Sequence, residues 1–377
     1  MKYLSINRGG RGLTSAVFLC SAAALVLAAC GGGGGTGTPG ASGSAGGGGG
    51  GEKIAITLIT KDANNPYWVA MQNGAKQAGE QQGAEITIAF GANQGDEQGQ
   101  VTAIEDAIAR GDKGILIAPN GPGVNDAITK ARDAGIHVIA LDTVPIPPDT
   151  VEVTLATDNF KAGELIGEWA GATLNGQKAT IALLDLYSDK VASVDYERDQ
   201  GFLTGMGIDV KDKTKNGDED KTGKYTGGKG GDYEIVCNEP TQGAQDTGKT
   251  AMENCLAKSK SINLVYTINE PSAAGAAEAL DAAGVKATLV SVDGGCNPGI
   301  KDVKAGIIGA TSQQYPLKMA QLGVEAIVKI IKGGEAPKVS PGLDFYDVGV
   351  ALVTEKPAKG VDSIDTTKGE ELCWGNK

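Results

Sequence analysis

From residue 53 onward, short apolar runs alternate with longer amphipathic ones. Segments 54–59, 86–90, 114–118, 137–141 and 151–156 are predicted as strands. Between and after them, 66–82, about 97–110, 122–134 and about 160–174 place apolar residues on one face, as amphipathic helices do. Pro66 marks the start of the first helix, because its missing N–H falls where no intrahelical partner exists. The strands are continuous apolar runs rather than alternating ones, which is expected where helices cover both faces of a parallel sheet. The pattern then restarts, with strands at 180–184, 233–236, 263–266 and 287–292 and helices near 192–206, 246–258, 271–284 and 297–305. A helix at about 316–332 and an extended 348–353 close it. Two successive α/β units of similar layout predict two doubly wound domains. Residues 209–232, rich in Lys, Asp and Gly and without an apolar period, read as a solvated insertion without a function of its own. The polar tail 355–377 is expected to be pinned by Cys373-Trp374.

The chain before residue 53 is of another kind. Lys2, Arg8 and Arg11 precede an apolar run ending Leu27-Ala28-Ala29-Cys30, the layout of a secretory signal over residues 1–29. The run falls short of the ~20 residues that a membrane span prefers. Residues 31–51 are almost entirely Gly, Ser, Thr and Ala, a flexible tether. Leu27-Ala28-Ala29-Cys30 resembles a bacterial lipobox, which implies that Cys30 is lipidated and becomes the mature N-terminus. The expectation is a protein held outside the cytoplasm at a membrane surface. Residues 52–377 exceed the size at which one core keeps growing, consistent with two domains. The formal charge of −12 becomes −15 once Lys2, Arg8 and Arg11 leave with the signal. An acidic chain without a basic run argues against nucleic acid as a partner.

Little catalytic machinery is legible. The single histidine, His137, opens an apolar strand and reads as structural. There is no Gly-x-Ser-x-Gly elbow and no phosphate-binding loop, and the cysteine spacing fits no zinc site, so no metal or cofactor is expected. Cys20 leaves with the signal, and Cys237, Cys255, Cys296 and Cys373 remain for disulfides. Of three possible pairings, Cys237–Cys255 with Cys296–Cys373 is favoured, although a Cys255 well along its helix would strain the first.

In open parallel α/β sheets, ligands bind beyond the carboxyl ends of the strands. Those ends carry 60–68 (Thr60-Lys61-Asp62-Ala63-Asn64-Asn65-Pro66-Tyr67-Trp68), Asp142-Thr143, Asp185-Leu186-Tyr187, Asn238-Glu239, Asn269-Glu270 and Asp293-Gly294-Gly295, with Arg198 in the first turns of the helix after the Asp185 segment. Carboxylates, amides, a guanidinium and flat aromatic rings together suit a sugar, whose hydroxyls both donate and accept and whose C–H patches stack on rings. Asn64 reads as a helix cap. Tyr67 and Trp68, being adjacent in a helix, are not expected to face one core together.

Asn64-Asn65-Pro66-Tyr67-Trp68, 138–142 (Val-Ile-Ala-Leu-Asp), 196–202 (Tyr-Glu-Arg-Asp-Gln-Gly-Phe), Val292-Asp293-Gly294 and 310–316 (Ala-Thr-Ser-Gln-Gln-Tyr-Pro) resemble the periplasmic sugar-binding proteins of the ribose/galactose type, over nearly all of 53–355. The resemblance implies the type I periplasmic binding protein fold: two doubly wound lobes on a three-segment hinge, 52–157 plus 313–346 and 158–312 plus 347–377. It implies a ligand set of Asn65, Tyr67, Trp68, Asp142, Arg198, Asn269, Asp293 and Gln314. It further implies a monomeric receptor that delivers a monosaccharide to an ABC permease whose ATPase is a separate chain. Thr143 departs from the Arg common in ribose binders, which bears on the preferred hydroxyl pattern. The runs 266–271 (Tyr-Thr-Ile-Asn-Glu-Pro), 293–296 (Asp-Gly-Gly-Cys) and 373–375 (Cys-Trp-Gly) look more like the fructose-binding branch, making fructose the first expectation. A sugar sensor is an alternative on the same residues. A glycosidase using Asp142 and Asp293 as its carboxylates is a weaker one.

Overall fold

The computed structural model describes residues 53–375; the expected signal, Cys30 and the whole of the tether lie outside them. The first sheet has the order β12-β5-β4-β3-β1-β2, with β1 Ile54–Thr60, β2 Ala84–Phe90, β3 Gly114–Ile117, β4 His137–Leu141, β5 Val153–Ala156 and β12 Tyr346–Asp347. All its pairings are parallel. The second has the order β13-β11-β10-β9-β6-β8-β7, with β6 Ala179–Asp185, β7 Thr222–Tyr225, β8 Gly231–Pro240, β9 Leu264–Thr267, β10 Thr288–Asp293, β11 Ala310–Gln313 and β13 Ala351–Val353. Only its edge strands, β7 and β13, run antiparallel. Helices α1 Pro66–Gln82, α2 Glu97–Arg110 and α3 Asn125–Asp133 serve the first sheet. Helices α4 Asn159–Leu174, α5 Ser193–Met206, α6 Gln245–Lys258, α7 Glu270–Ala283 and α8 Lys301–Ala305 serve the second. Helix α9 Pro316–Ile331 returns to pack on α1, and the short α10 Thr366–Leu372 lies near the chain end. Among the described residues no helix is long and apolar enough to cross a membrane.

Local chemistry sets most boundaries. Asn65 caps α1 by accepting from the Tyr67 N–H, and Gly83 ends it with φ +70°. Asp158 caps α4 and Asn269 caps α7 in the same way. The cap of α1 is therefore Asn65, not Asn64. The chain passes between the sheets at 157–158, after Gln313 and again between β12 and β13, and these crossings are bonded together, as Val348 N–H donates to Ala156 O at 2.8 Å.

Several expectations need correction. The 122–134 helix begins as a 3-10 turn, Pro122–Val124, and 297–305 is a wide turn plus α8 because Asn297 leaves helical geometry. Of the extended 348–353 only 351–353 is strand, β13, and the strand before it, β12, lies at 346–347 in the other sheet. The tail holds an unforeseen helix, α10. The insertion 209–232 is not merely solvated: β7 pairs with β8, Tyr225 is fully buried and the Glu219 side chain is wholly inaccessible.

Two devices fix the second lobe. Helices α4 and α5 cross at backbone distance through Gly163, Gly167, Gly201 and Gly205. A Cβ on Gly163 would lie 2.1 Å from Arg198 O, and one on Gly201 2.2 Å from Phe160 O. The disulfides Cys237–Cys255 and Cys296–Cys373 both form, with Cα separations of 5.6 and 5.0 Å, so the helix position of Cys255 imposes no misfit. The second bond staples the tail so that Trp374 is buried and its Nε1 donates to Gln314 O at 3.0 Å.

Gly163→Ala is expected to force α5 away from α4, lowering stability by about 1–3 kcal/mol in a chemical melt, because backbone rather than a flexible side chain must yield. Removing the Cys296–Cys373 bond, which closes a separation of 77 residues, is expected to cost about 4 kcal/mol. A Cys373→Ala variant with an unchanged urea midpoint would show that the tail is held without it.

Candidate functional site

The carboxyl ends of the two sheets face one another, and the side chains that follow them converge. Lys61 follows β1, Asn65, Tyr67 and Trp68 open α1, and Asp142 follows β4. From the other lobe come Arg198 in the second turn of α5, Asn269 at the start of α7 and Asp293 at the end of β10. These residues, with Gln94, Leu186, Val194 and Ile268, enclose a cavity of about 30 Å³. At its mouth, sharing Asn65 and Gln94, lies a wider interlobe concavity of about 380 Å³ that also touches Gln242 and Gly243. A larger groove of about 530 Å³ sits at the opposite ends of the second sheet's strands, between Trp169, Lys286 and Lys356. It lacks a convergent set of buried charges, so the smaller interlobe cavity is the chemically organised one.

Four charges are buried there. Lys61, Asp142, Arg198 and Asp293 are 1%, 3%, 5% and 4% exposed. Lys61 Nζ stands 3.9 Å from Asp142 Oδ2, longer than a hydrogen bond, and 5.6 Å from the Trp68 ring centre. Burial pushes the Lys61 ammonium down to about 8, against the opposing pull of Asp142. Arg198 donates through Nε to Asn159 Oδ1 at 2.8 Å and through Nη1 to Ile268 O at 2.9 Å, with Asp293 Oδ1 4.0 Å away. Burial raises the Asp293 carboxyl and Arg198 opposes it. Asp142 accepts from Tyr67 OH and from Thr143 Oγ1, both at 2.8 Å. Burial and that carboxylate raise the Tyr67 hydroxyl well above its ordinary value. Asp142 and Asp293 both hold positive φ, +67° and +145°, conformations that cost an Asp free energy and that concentrate at ligand sites.

The eight residues expected from sequence do not play equal parts. Asn65, Tyr67, Trp68, Asp142, Arg198, Asn269 and Asp293 line the cavity. Gln314 does not: it stands behind Asp293 and donates to Oδ1 at 3.1 Å. Asn269 already binds Ser272 and Gly243 O, and the Asn65 oxygen caps α1, so each has only part of its amide uncommitted. Tyr67 and Trp68 do join one apolar cluster, contrary to expectation, with rings perpendicular at 4.8 Å. They can because α1 begins at the lobe boundary, where Trp374 of the tail closes on Tyr67 at 5.2 Å. Asp185 and Asn238 lie off the cavity wall. Sequence reasoning placed Lys61 and Glu270 at strand ends without giving them a part, and passed over Gln94. Glu270 accepts from Gly294 N–H at 2.8 Å and Gly295 N–H at 3.0 Å and so holds the turn that presents Asp293. The position of Lys61 directly after an apolar strand was the available signal. His137 pairs with Glu152 at 2.8 Å, away from the site.

Known proteins resemble the chain along most of its length. The ribose import binding protein of Haemophilus influenzae is 28% identical over 283 residues, 75% of this chain and 86% of its own. The galactofuranose-binding protein of Escherichia coli is 28% identical over 281 residues, 72% of this chain and 80% of its own. A solute-binding protein of an ABC transporter from Agrobacterium vitis, solved with bound D-fucose, matches with a TM-score of 0.67 at 25% identity, covering 85% of this chain and 99% of its own. The periplasmic binding protein domain matches residues 55–335, and the chain belongs to that family.

Proposed function

We propose that the protein is an extracytoplasmic receptor, anchored through lipid on Cys30, that closes its lobes on a monosaccharide and delivers it to an ABC permease with a separate ATPase. The observation that carries this reading is the interlobe cavity with two buried cations and two buried anions, one pair from each lobe. Balanced charge favours a neutral ligand over a charged one, since a charged one would bury an unmatched charge. Trp68 and Tyr67 supply ring faces, and Asp142, Arg198, Asn269, Asp293 and Asn65 supply the donors and acceptors that hydroxyls need. Relatives named for ribose, D-allose and galactofuranose span pentoses and hexoses, in keeping with a sugar. Fructose remains the first candidate, on the 266–271 and 293–296 runs.

The cavity has room for about two waters. A sugar therefore takes over the bonds now made between Tyr67 and Asp142 and between Arg198 and Ile268 O, with the lobes resting slightly farther apart. Closing without ligand leaves Lys61 buried beside an ion partner it does not hydrogen-bond; sugar hydroxyls relieve that cost. The ligand thereby favours the closed state, because both lobes contact it only there.

Thermal unfolding against fructose, ribose, allose, galactose, glucose and inositol tests the reading. One sugar at 100 times its dissociation constant is expected to add about 2.7 kcal/mol of stability, and Arg198→Ala or Asp293→Ala to remove the shift. No shift with any sugar, from protein that unfolds cooperatively, would sink the monosaccharide proposal. Lys61→Met tests the buried lysine. Unfolded Lys61 keeps its proton to about 10.5 and the folded residue only to about 8, so its burial costs most below pH 8 and the cost falls as pH rises towards 10.5. The ligand-free variant is thus expected to be more stable than the parent by up to roughly 3 kcal/mol at pH 7. The gap should narrow between pH 8 and 10, and sugar affinity should fall. An equal gap at both pH values would show that Lys61 is not buried as an ammonium.

A further inference from the structure

The second lobe holds another buried polar cluster that the sugar reading does not use. Asp185, Asn238 and Tyr266 share one face of the second sheet: Leu183 pairs with Asn238 on one side and Tyr266 on the other, and Asp185 lies two residues on. Helix α5 covers that face, and Phe202 stacks on Tyr266 at 5.1 Å. Asp199 and Asp195, three and seven residues earlier in α5, come down on the same side and are 0% and 4% exposed. The insertion before β7 then folds over them and delivers Glu219, whose side chain is wholly buried although its neighbours in the loop are polar.

These groups are poorly paired. Neither oxygen of Asp185 has a hydrogen-bond partner, nor does Asp199 Oδ1, Glu219 Oε2, Asn216 Oδ1 or Asp218 Oδ1. Two neutral side chains point to a ligand independently of the carboxylates. Gln200 and Tyr266 are both 0% exposed, and Gln200 Oε1 and Tyr266 OH have no partner. Asp185 is the charge that acts most strongly on the Tyr266 hydroxyl, which places that hydroxyl at the cluster. The Asn238 amide comes near Asp185 but stops short of a hydrogen bond. Four carboxylates (Asp185, Asp195, Asp199, Glu219) face one cation of their own, Lys221, 2.7 Å from Glu219 Oε1. Arg198 favours ionised Asp195 but is already matched with Asp293 at the interlobe cavity. The buried acids thus outnumber their cations, a cost that buried carboxylates do not bear unmatched.

We propose that this cluster is a divalent-cation site, selective for calcium, formed by Asp185, Asp199 and Glu219 with neutral oxygens from Gln200 and Asn216. An all-oxygen, flexible set of high negative charge is what calcium takes and what zinc does not. Among the described residues no three His, Cys, Asp or Glu side chains already converge at ligating distance. The ion draws the mutually repelling carboxylates inward, with Glu219 arriving on its loop. One consequence reaches the cleft: Asp195 accepts from Leu186 N–H at 2.8 Å and Tyr187 N–H at 3.1 Å, and Leu186 and Val194 line the interlobe cavity. Calcium would stiffen the loop on which the sugar rests. The site belongs to the chain's own charge balance and stands whether or not the ligand is a sugar.

The test uses purified protein stripped with chelator. Calcium chloride at 1 mM is expected to raise the thermal midpoint by several degrees, an equal ionic strength of sodium chloride to leave it unchanged, and magnesium to act weakly. Terbium is expected to give sensitised emission, with Tyr266 at the site, that calcium displaces at about one equivalent. Glu219→Gln and Asp199→Asn should lose both responses, and metal-free Glu219→Gln should melt higher than the metal-free parent because a repelling charge is gone. If no divalent ion moves the midpoint and terbium emission is absent or not displaced by calcium, the proposal is overturned and protons hold the cluster. The terbium titration on the parent decides the matter even where a variant does not fold.

Discussion

Burying charge between two lobes is the constraint on which this structure depends. Lys61 and Asp142 come from one sheet and Arg198 and Asp293 from the other, all almost wholly removed from water. They are buried as a set that is neutral in sum, although Lys61 bears a net cost in it. The same balance makes the closed arrangement sensitive to what lies between the lobes. Lys61 meets Asp142 at 3.9 Å and gains little from it, so hydrogen-bonding groups brought by a ligand have much to supply.

Keeping those charges in place occupies much of the remaining fold. The glycine crossing of α4 and α5 lets Arg198 sit where its guanidinium reaches both Asn159 and Ile268 O. Glu270 and Gln314 hold the strained turn at Asp293 from two sides. The disulfide-stapled tail adds Trp374, which donates to Gln314 O and packs its ring against Tyr67 of the first lobe. A residue three from the chain end thus supports a side chain near the beginning of the fold.

The second lobe holds two charged clusters of different character. The interlobe one is balanced by its own lysine and arginine. The cluster under α5 is short of positive charge and rich in unpaired oxygens, and the polar insertion that looks dispensable in sequence folds over it. The segment 186–192 and the first turn of α5 join the two, with Asp195 anchoring backbone that forms part of the cavity wall. Two backbone hydrogen bonds to Asp195 thus connect the cluster to the cavity wall.

Sequence by itself determined the alternation of strands and helices, the restart into a second unit, the favoured disulfide pairing and most of the cavity wall. Apolar runs without alternation require burial on both faces, and the residues after such strands have one place to go. It did not determine which of those residues act. Asp142 and Asp185 look alike as acids ending apolar strands, yet one faces the cleft and the other lies beneath α5, because that depends on which helix covers each strand end. Lys61 is one polar residue in the run after β1, and nothing beside it marks it for burial until the second lobe is laid over it. Gln314 looks in sequence like a cavity residue, yet it stands off the lining and donates to Asp293. Glu219 reads as solvent-facing in a stretch with no apolar period, and only the long-range pairing of β7 with β8 carries it inside. Burial of a charge is decided by what packs on it from elsewhere in the chain, and local sequence contains no record of that neighbour.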